Sequence, residues 1–335
     1  MNILITAPYY EKAQKELASL FGKVTYHLWK KKGSAYSEEE LIKLLQEVRP
    51  DALITEHDQV TERVIQSYPA LKFIGVCRGT PSNIAINTAT ALKIPVFNTP
   101  ARNAQAVAEM FIANLITFMR NTLASIKWLE DEKWEVGAHT SYLQFKGNEI
   151  AGKKIGMVGF GAVGQTTANI LQHFPTEICY YDPYYTSENP HFSKVSLEAV
   201  FSTCDVVAIH LPVTEQTKGM IAKSLLSLMK EDAIFVNTSR AVVVNREDLL
   251  SAIEQGKIRG AILDVFDHEP PDEIDYQLIH HDHVLATPHI AGATHEVENH
   301  HADIMNRALK SFFKEGQKEI KQLVNKELLD QTHDG

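Results

Sequence analysis

The stretch KIGMVGFGAVGQTTANILQH, residues 154–173, decides the fold. Lys154–Val158 reads as a buried strand, Gly159, Gly161 and Gly164 follow at once, and the rest reads as a helix through His173. Each glycine answers its own physical demand. Gly159 permits the tight turn out of the strand. Gly161 has no Cβ, so a pyrophosphate can approach the backbone, and Gly164 lets helix and strand pack closely. The helix N-terminus then offers free N–H groups to the phosphates.

A bare G-x-G-x-x-G arises by chance in many loops. Here a strand precedes it, a helix follows it, and Asp182 stands at the end of the next strand, eighteen positions beyond Gly164. That carboxylate can accept from both adenosine ribose hydroxyls and repels a 2′-phosphate, so NAD is expected over NADP. Two alternatives stay open: a structural glycine turn beside an unrelated acid, and a pocket reshaped by Tyr184 or a nearby Lys.

Outward from this segment the same alternation continues. Strands are expected at Ile3–Thr6, Val24–His27, Ala52–Ile54, Phe73–Val76 and Val96–Asn98 before it. After it they are expected at Ile178–Tyr181, Val206–His210, Ala233–Asn237, Gly260–Val265 and Val284–Ala286. Helical patterns fall between, the signature of parallel sheets covered by helices. One helix starts near Glu11, one follows Ser37, whose hydroxyl can cap the amides ahead of Glu38-Glu39-Glu40, and one follows Thr61. From Asn103 to about Trp134 the pattern is mostly helical and leads into a Trp-bearing excursion, Trp128–Phe145. That excursion reads equally as cover for another subunit or as an intradomain helix and loop. A last long helix is expected from about Thr294 to Phe313, with a polar tail packing back on the first unit and the middle as a continuous insert. Two doubly wound α/β lobes with a cleft between them are the simplest architecture.

Composition agrees and removes other classes. A chain of 335 residues exceeds what one core organises, and 44% apolar with 22% charged residues excludes a disordered or collagenous chain. No apolar run approaches the ~18–20 residues a bilayer span needs, so no membrane partner is expected. The net charge of −9, with no basic run beyond Lys30-Lys31-Lys32, argues against nucleic acid. Cys77, Cys179 and Cys204 lie far apart without C-x-x-C spacing, which fits a reducing cytoplasm better than a disulfide framework or thiolate metal site. The first residues, MNILITAPYY, are not expected to be a signal peptide.

In open parallel sheets ligands sit beyond the carboxyl ends of the strands. Three polar residues stand there: Arg240, Glu269 and His289. Arg supplies a bidentate fork for a carboxylate, His is the usual proton carrier near neutral pH, and a carboxylate beside it stabilises imidazolium. Singly, each has a plain alternative: an ion pair, a turn at Glu269-Pro270-Pro271, a solvated loop His. With a nicotinamide they form a complete kit for reducing a 2-keto acid. The crowd of His280, His281, His283, His289, His295, His300 and His301 invites a metal, but no pair has the H-E-x-x-H spacing and no acidic or Cys set accompanies it; none is expected.

These residues resemble the D-isomer-specific 2-hydroxyacid dehydrogenase family, which includes the phosphoglycerate dehydrogenases. The resemblance covers most of the chain. It rests on Gly159–Gly164 with Asp182, His210-Leu211-Pro212 with Thr217–Ile221, Asn237-Thr238-Ser239-Arg240, Leu263–Phe266 with Glu269-Pro270, and Thr287-Pro288-His289-Ile290. It implies a Rossmann-type NAD-binding domain of residues 101–299, inserted in a flavodoxin-like substrate domain of residues 1–100 and 300–335, without a regulatory C-terminal domain. By the same resemblance Arg240 binds the substrate carboxylate and carbonyl oxygen, His289 is the general acid in reduction and base in oxidation, and Glu269 orients it. Asp264 faces the nicotinamide carboxamide, while Ala162, Val163, His210 and Thr238 line the dinucleotide. A homodimer through the cofactor domain is implied, which favours the intersubunit reading of Trp128–Phe145.

Two departures from the family pattern stand out. The substrate-domain loop reads Gly75-Val76-Cys77-Arg78-Gly79-Thr80-Pro81-Ser82-Asn83, where the amides of Arg78 and Gly79 could hold a carboxylate and Arg78 adds a charge. The strand end Thr55-Glu56-His57 lacks the Arg that phosphoglycerate dehydrogenases tend to carry there, which argues against 3-phosphoglycerate. Arg78 and Arg102 are therefore candidate substrate contacts, with structural ion pairs as the alternative. The expected function is hydride transfer between NAD(H) and a small D-2-hydroxy or 2-keto acid, a phosphorylated or sugar-derived acid included. An NAD(H)-sensing, corepressor-like binding protein of the same fold is the rival.

Overall fold

The computed structural model describes residues 1–134 and 138–330. The chain forms two compact units. One is Met1–Asn103 with the chain from Thr294 on; the other is Ala104–Ala293. The boundaries fall slightly inside those expected because helix Ala104–Met119 begins the second unit and helix His295–Phe313 belongs to the first.

The first unit is a parallel sheet of β1 (Asn2–Ile5), β2 (Lys23–Tyr26), β3 (Ala52–Thr55), β4 (Ile74–Val76) and β5 (Val96–Asn98), in the order β2-β1-β3-β4-β5. Side chains of a strand point alternately to its two faces, and both faces are covered. Ile3, Ile5 and Ile54 meet Leu17 and Phe21 of helix Glu11–Phe21 and Met305 and Leu309 of helix His295–Phe313. Leu4 and Leu53 turn the other way, onto Leu41 and Leu45 of helix Glu38–Val48. That last helix opens on the expected cap: Ser37 accepts from the Glu40 amide while the Glu40 carboxylate accepts from the Ser37 amide. Beyond the last helix, Asn325 Nδ2 donates to the Ile94 carbonyl and its Oδ1 accepts from the Val96 amide, pinning the tail to this unit.

The second unit is a seven-stranded parallel sheet: β6 (Lys154–Val158), β7 (Glu177–Tyr181), β8 (Phe192–Lys194), β9 (Val206–Ile209), β10 (Ile234–Asn237), β11 (Gly260–Leu263) and β12 (Val284–Ala286), in the order β12-β11-β10-β9-β6-β7-β8. The order reverses at β6 and β9, the point where doubly wound sheets open a crevice at their carboxyl edge. Ile155 and Met157 face helices Ala104–Met119 and Ala162–Leu171, while Val158 and Val207 face the opposite core. Strand β8 was not expected; three residues inside a polar stretch give too short a pattern to read. The single long helix expected after Asn103 is two, Ala104–Met119 and Thr122–Glu130, because Asn121 takes the left-handed conformation (φ 54°) and breaks the hydrogen-bond ladder. Helix Ala138–Gln144 follows; residues 135–137 of the Trp128–Phe145 excursion lie outside the described residues. No helix among the described residues is long and apolar enough to cross a membrane.

Candidate active site

The glycine turn sits at the carboxyl end of β6. Gly159 has φ 91°, and a Cβ there would stand 2.7 Å from the His210 carbonyl oxygen, at the end of neighbouring β9. A Cβ on Gly164 would stand 2.7 Å from the Gly159 oxygen, so close packing of the helix on the turn requires this glycine. Gly161 is different: its Cβ would meet nothing within 4 Å. Protein packing therefore does not require that glycine, and the space above it is open. Gly161 is also the N-cap of helix Ala162–Leu171 with no side-chain cap, so the first-turn amides at Ala162 and Val163 stand over that open space.

Asp182 closes the same corner from β7. Its Oδ2 accepts from the Phe160 amide at 2.7 Å, and its Oδ1 accepts from the amides of Tyr184 and Tyr185 at 2.8 and 3.0 Å. The carboxylate thus holds the glycine turn in shape as well as placing negative charge there. Two polar atoms along this edge are buried without a partner, His210 Nε2 and Thr238 Oγ1. Burial pushes the His210 imidazole down to about 4, leaving it neutral at physiological pH. Orphaned polar atoms beside a Cβ-free opening and an uncapped helix start fit a dinucleotide that supplies the missing partners.

The catalytic candidates leave the adjacent strands β10, β11 and β12 at the same carboxyl edge. After β10, Asn237 staples the loop: its Nδ2 donates to the Arg240 carbonyl at 2.9 Å, and its Oδ1 accepts from the Ser239 amide and hydroxyl. Arg240 is exposed, and its Nη1 donates to the Ser239 carbonyl at 2.6 Å, leaving the rest of the guanidinium fork to solvent. After β12, His289 takes φ 54°, unusual for a side-chain-bearing residue, and its Nδ1 lies 2.9 Å from both Glu269 oxygens. A carboxylate only accepts, so the Nδ1 proton is on the ring and Nε2 is the free nitrogen. Glu269 and His289 are thus brought together from 20 positions apart.

What holds that loop is Asp264, which is 1% exposed. Its Oδ1 accepts from Thr287 Oγ1 at 2.6 Å and the Ile290 amide at 2.9 Å; its Oδ2 accepts from the Ala291 amide at 2.9 Å. The family resemblance implies that Asp264 faces the nicotinamide carboxamide and says nothing of this loop-holding task. The only signal was an acid placed directly after an apolar strand. Among the described residues, His268, Asp272 and Asp275 are the one grouping with metal-ligand spacing, and the Arg246 fork lies on it, 2.8 Å from both Asp272 oxygens and 3.0 Å from Asp275.

In the first unit, Arg78 and Gly79 lie at the end of β4, with their carbonyls engaged by the Thr99 amide and Asn98 Nδ2. Arg102 donates to Glu56 Oε1 at 2.8 Å, in an ion pair whose acid is 5% exposed, and to His301 Nδ1 at 3.1 Å. His301 Nε2 in turn meets the Pro8 carbonyl at 2.6 Å, and burial lowers the imidazole's pKa, so a neutral ring serves both contacts. Arg102 is tied into this buried network rather than left open.

The chain matches the sequence model of the D-isomer specific 2-hydroxyacid dehydrogenase NAD binding domain over residues 112–291, which lies within the second unit. It belongs to the D-isomer specific 2-hydroxyacid dehydrogenase family. A Bacillus subtilis protein, YoaD, whose name places it provisionally among the 2-hydroxyacid dehydrogenases, is 56% identical over 98% of this chain and 96% of its own. A glyoxylate reductase of Thermococcus litoralis is 36% identical over 85% of this chain and 87% of its own. A solved D-2-hydroxyisocaproate dehydrogenase superposes with a TM-score of 0.82 over 97% of this chain and 99% of its own; at 23% identity it bears on the fold alone. As a member of this dehydrogenase family the chain is an NAD(H)-dependent oxidoreductase.

Proposed function

We propose that this dehydrogenase interconverts a small 2-keto acid and its D-2-hydroxy acid, with Arg240, Glu269 and His289 as its catalytic residues. The observation that carries the reading is the His289–Glu269 pair, 2.9 Å through both carboxylate oxygens, on a loop locked by Asp264 at the strand ends that also carry Arg240. NADH, when bound, supplies the hydride. Arg240 holds the substrate carboxylate and polarises the carbonyl with the free part of its fork. Glu269 fixes the ring with Nδ1 protonated, so His289 delivers a proton from Nε2 in reduction and accepts one there in oxidation. Gly159, Gly161, Ala162, Val163, Gly164, Asp182, His210, Thr238 and Asp264 would hold the cofactor. The amides of Arg78 and Gly79 are further substrate contacts in this reading, and Arg102 positions Glu56 and His301.

Two finer points belong to the same reading. The family resemblance and a line of exposed apolar side chains, Leu123, Ile126 and Leu129, support a homodimer; three free cysteines suit a cytoplasmic protein. A screen of 2-keto acids, with NADH oxidation and NADH binding both followed, tests the catalytic reading. Turnover of at least one acid is expected. Tight NADH binding with no turnover on any acid would favour the rival, a cofactor-sensing binding protein.

A further inference from the structure

A hollow of about 540 Å³ opens directly beside the proposed proton donor. Glu269 and His289 form part of its wall; Phe266, Pro270, Tyr276 and Ile279 are among the other lining residues. Its volume lies within the ~300–1,000 Å³ typical of small-molecule sites. None of its lining residues is a Lys or Arg, and its ionisable pair Glu269 and His289 is hydrogen-bonded together. Arg246, the first residue of helix Arg246–Glu254, is committed to Asp272 and Asp275. Helix Glu273–Ile279, whose residues line the hollow, carries a reciprocal Asp272–Asp275 cap that occupies the Asp275 amide and sets two carboxylates at its N-terminus, an unfavourable place for a further anion. Tyr276 is 45% exposed, with its ring stacked on His280 at 5.5 Å.

We propose that this hollow receives the non-reacting substituent of the substrate, and that the enzyme takes 2-keto acids whose substituent is uncharged and apolar, branched aliphatic or aromatic, in preference to phosphorylated or dicarboxylic acids. The inference rests on the hydride-transfer reading above and names the substrate class of that same site. Because His289 lines the hollow, a substituent next to the keto carbon that this residue serves has the space within reach. An apolar group there leaves water for carbon-lined walls. Inside the hollow a phosphate or second carboxylate would lose its hydration, meet no Lys or Arg in the lining, and face the Glu269 carboxylate, with Arg240 taken up by the carboxylate that every 2-keto acid carries. The discrimination is therefore one of polarity and sign of charge more than of size.

The test uses the full chain and NADH with four acids: glyoxylate, 2-ketoisocaproate, phenylpyruvate and phosphohydroxypyruvate. One methylene in an apolar site changes kcat/KM by roughly 10- to 200-fold. 2-Ketoisocaproate or phenylpyruvate should therefore exceed glyoxylate by about tenfold or more, with phosphohydroxypyruvate lowest. Tyr276→Lys, at an exposed position, should reduce the ratio of the apolar acid to phosphohydroxypyruvate by about tenfold or more; Tyr276→Ala should reduce the ratio of the apolar acid to glyoxylate. Glyoxylate or the phosphorylated acid turning over best, or ratios unmoved in both variants, would overturn this assignment and leave the catalytic reading standing. No turnover of any acid while NADH binds would instead remove the catalytic reading itself.

Discussion

Single residues do two kinds of work at this sheet edge. Arg240 and His289 carry the proposed chemistry, whereas Asn237 and Asp264 hold the loops that carry them. The pairing of Glu269 with His289 was legible in the sequence as two polar residues following apolar strands at one sheet edge. The holding contacts were not. Asp264 finds its partners 23 to 27 positions downstream, and Arg102 meets Glu56 across 46, so neither pairing leaves a local pattern. The glycines separate in the same way and give a contrast. In Gly161→Ala the new Cβ meets open space, so stability should stay within about 0.5 kcal/mol, while the NADH Kd rises about tenfold or more, ~1.4 kcal/mol, as the methyl blocks the phosphate approach. Gly164→Ala sets its Cβ against the Gly159 carbonyl and should cost roughly 1–3 kcal/mol in stability. Denaturant melts and NADH titration of both variants check this; equal loss of stability in the two would contradict the assignment of Gly161 to the ligand.

At the scale of elements, the strands were readable because a buried parallel strand is a short β-branched run between turns, and residue shifts of one or two at their ends change no side chain's face assignment. Ser37 and Glu40 announced a helix start through a cap whose parts are three residues apart. Elements escaped where the cue was small. Strand β8 has three residues, and the break at Asn121 depends on one backbone angle that Asn tolerates and composition does not announce. The conformation of His289, φ 54°, belongs here too: the loop after β12 turns sharply because Asp264 accepts from both of the next two amides, and the imidazole is aimed by that turn.

For the whole molecule, the division into two sheets was legible from two series of strand patterns separated by a long helical stretch. The order of strands was not, since registers such as Ile155↔Val206 join segments about fifty positions apart. The surface holds a cue to assembly. Leu123 (57% exposed), Ile126 (46%) and Leu129 (54%) recur every third residue on one face of helix Thr122–Glu130, a line that an isolated chain would leave in water. The dimer proposed above should sediment as such at micromolar concentration, and Leu129→Lys with Ile126→Lys should shift it to monomer without lowering helix content. A wild-type monomer would contradict it.

The most direct measurement of the central claim is the kinetics of 2-keto acid reduction by His289→Gln beside the wild type, with NADH affinity determined for both. Loss of the proton donor should lower kcat by about 10²- to 10⁴-fold and leave the NADH Kd within about twofold, since this side chain is bound to Glu269 rather than to the glycine turn. Wild-type turnover in the variant would contradict the account: the imidazole would then not be the acid.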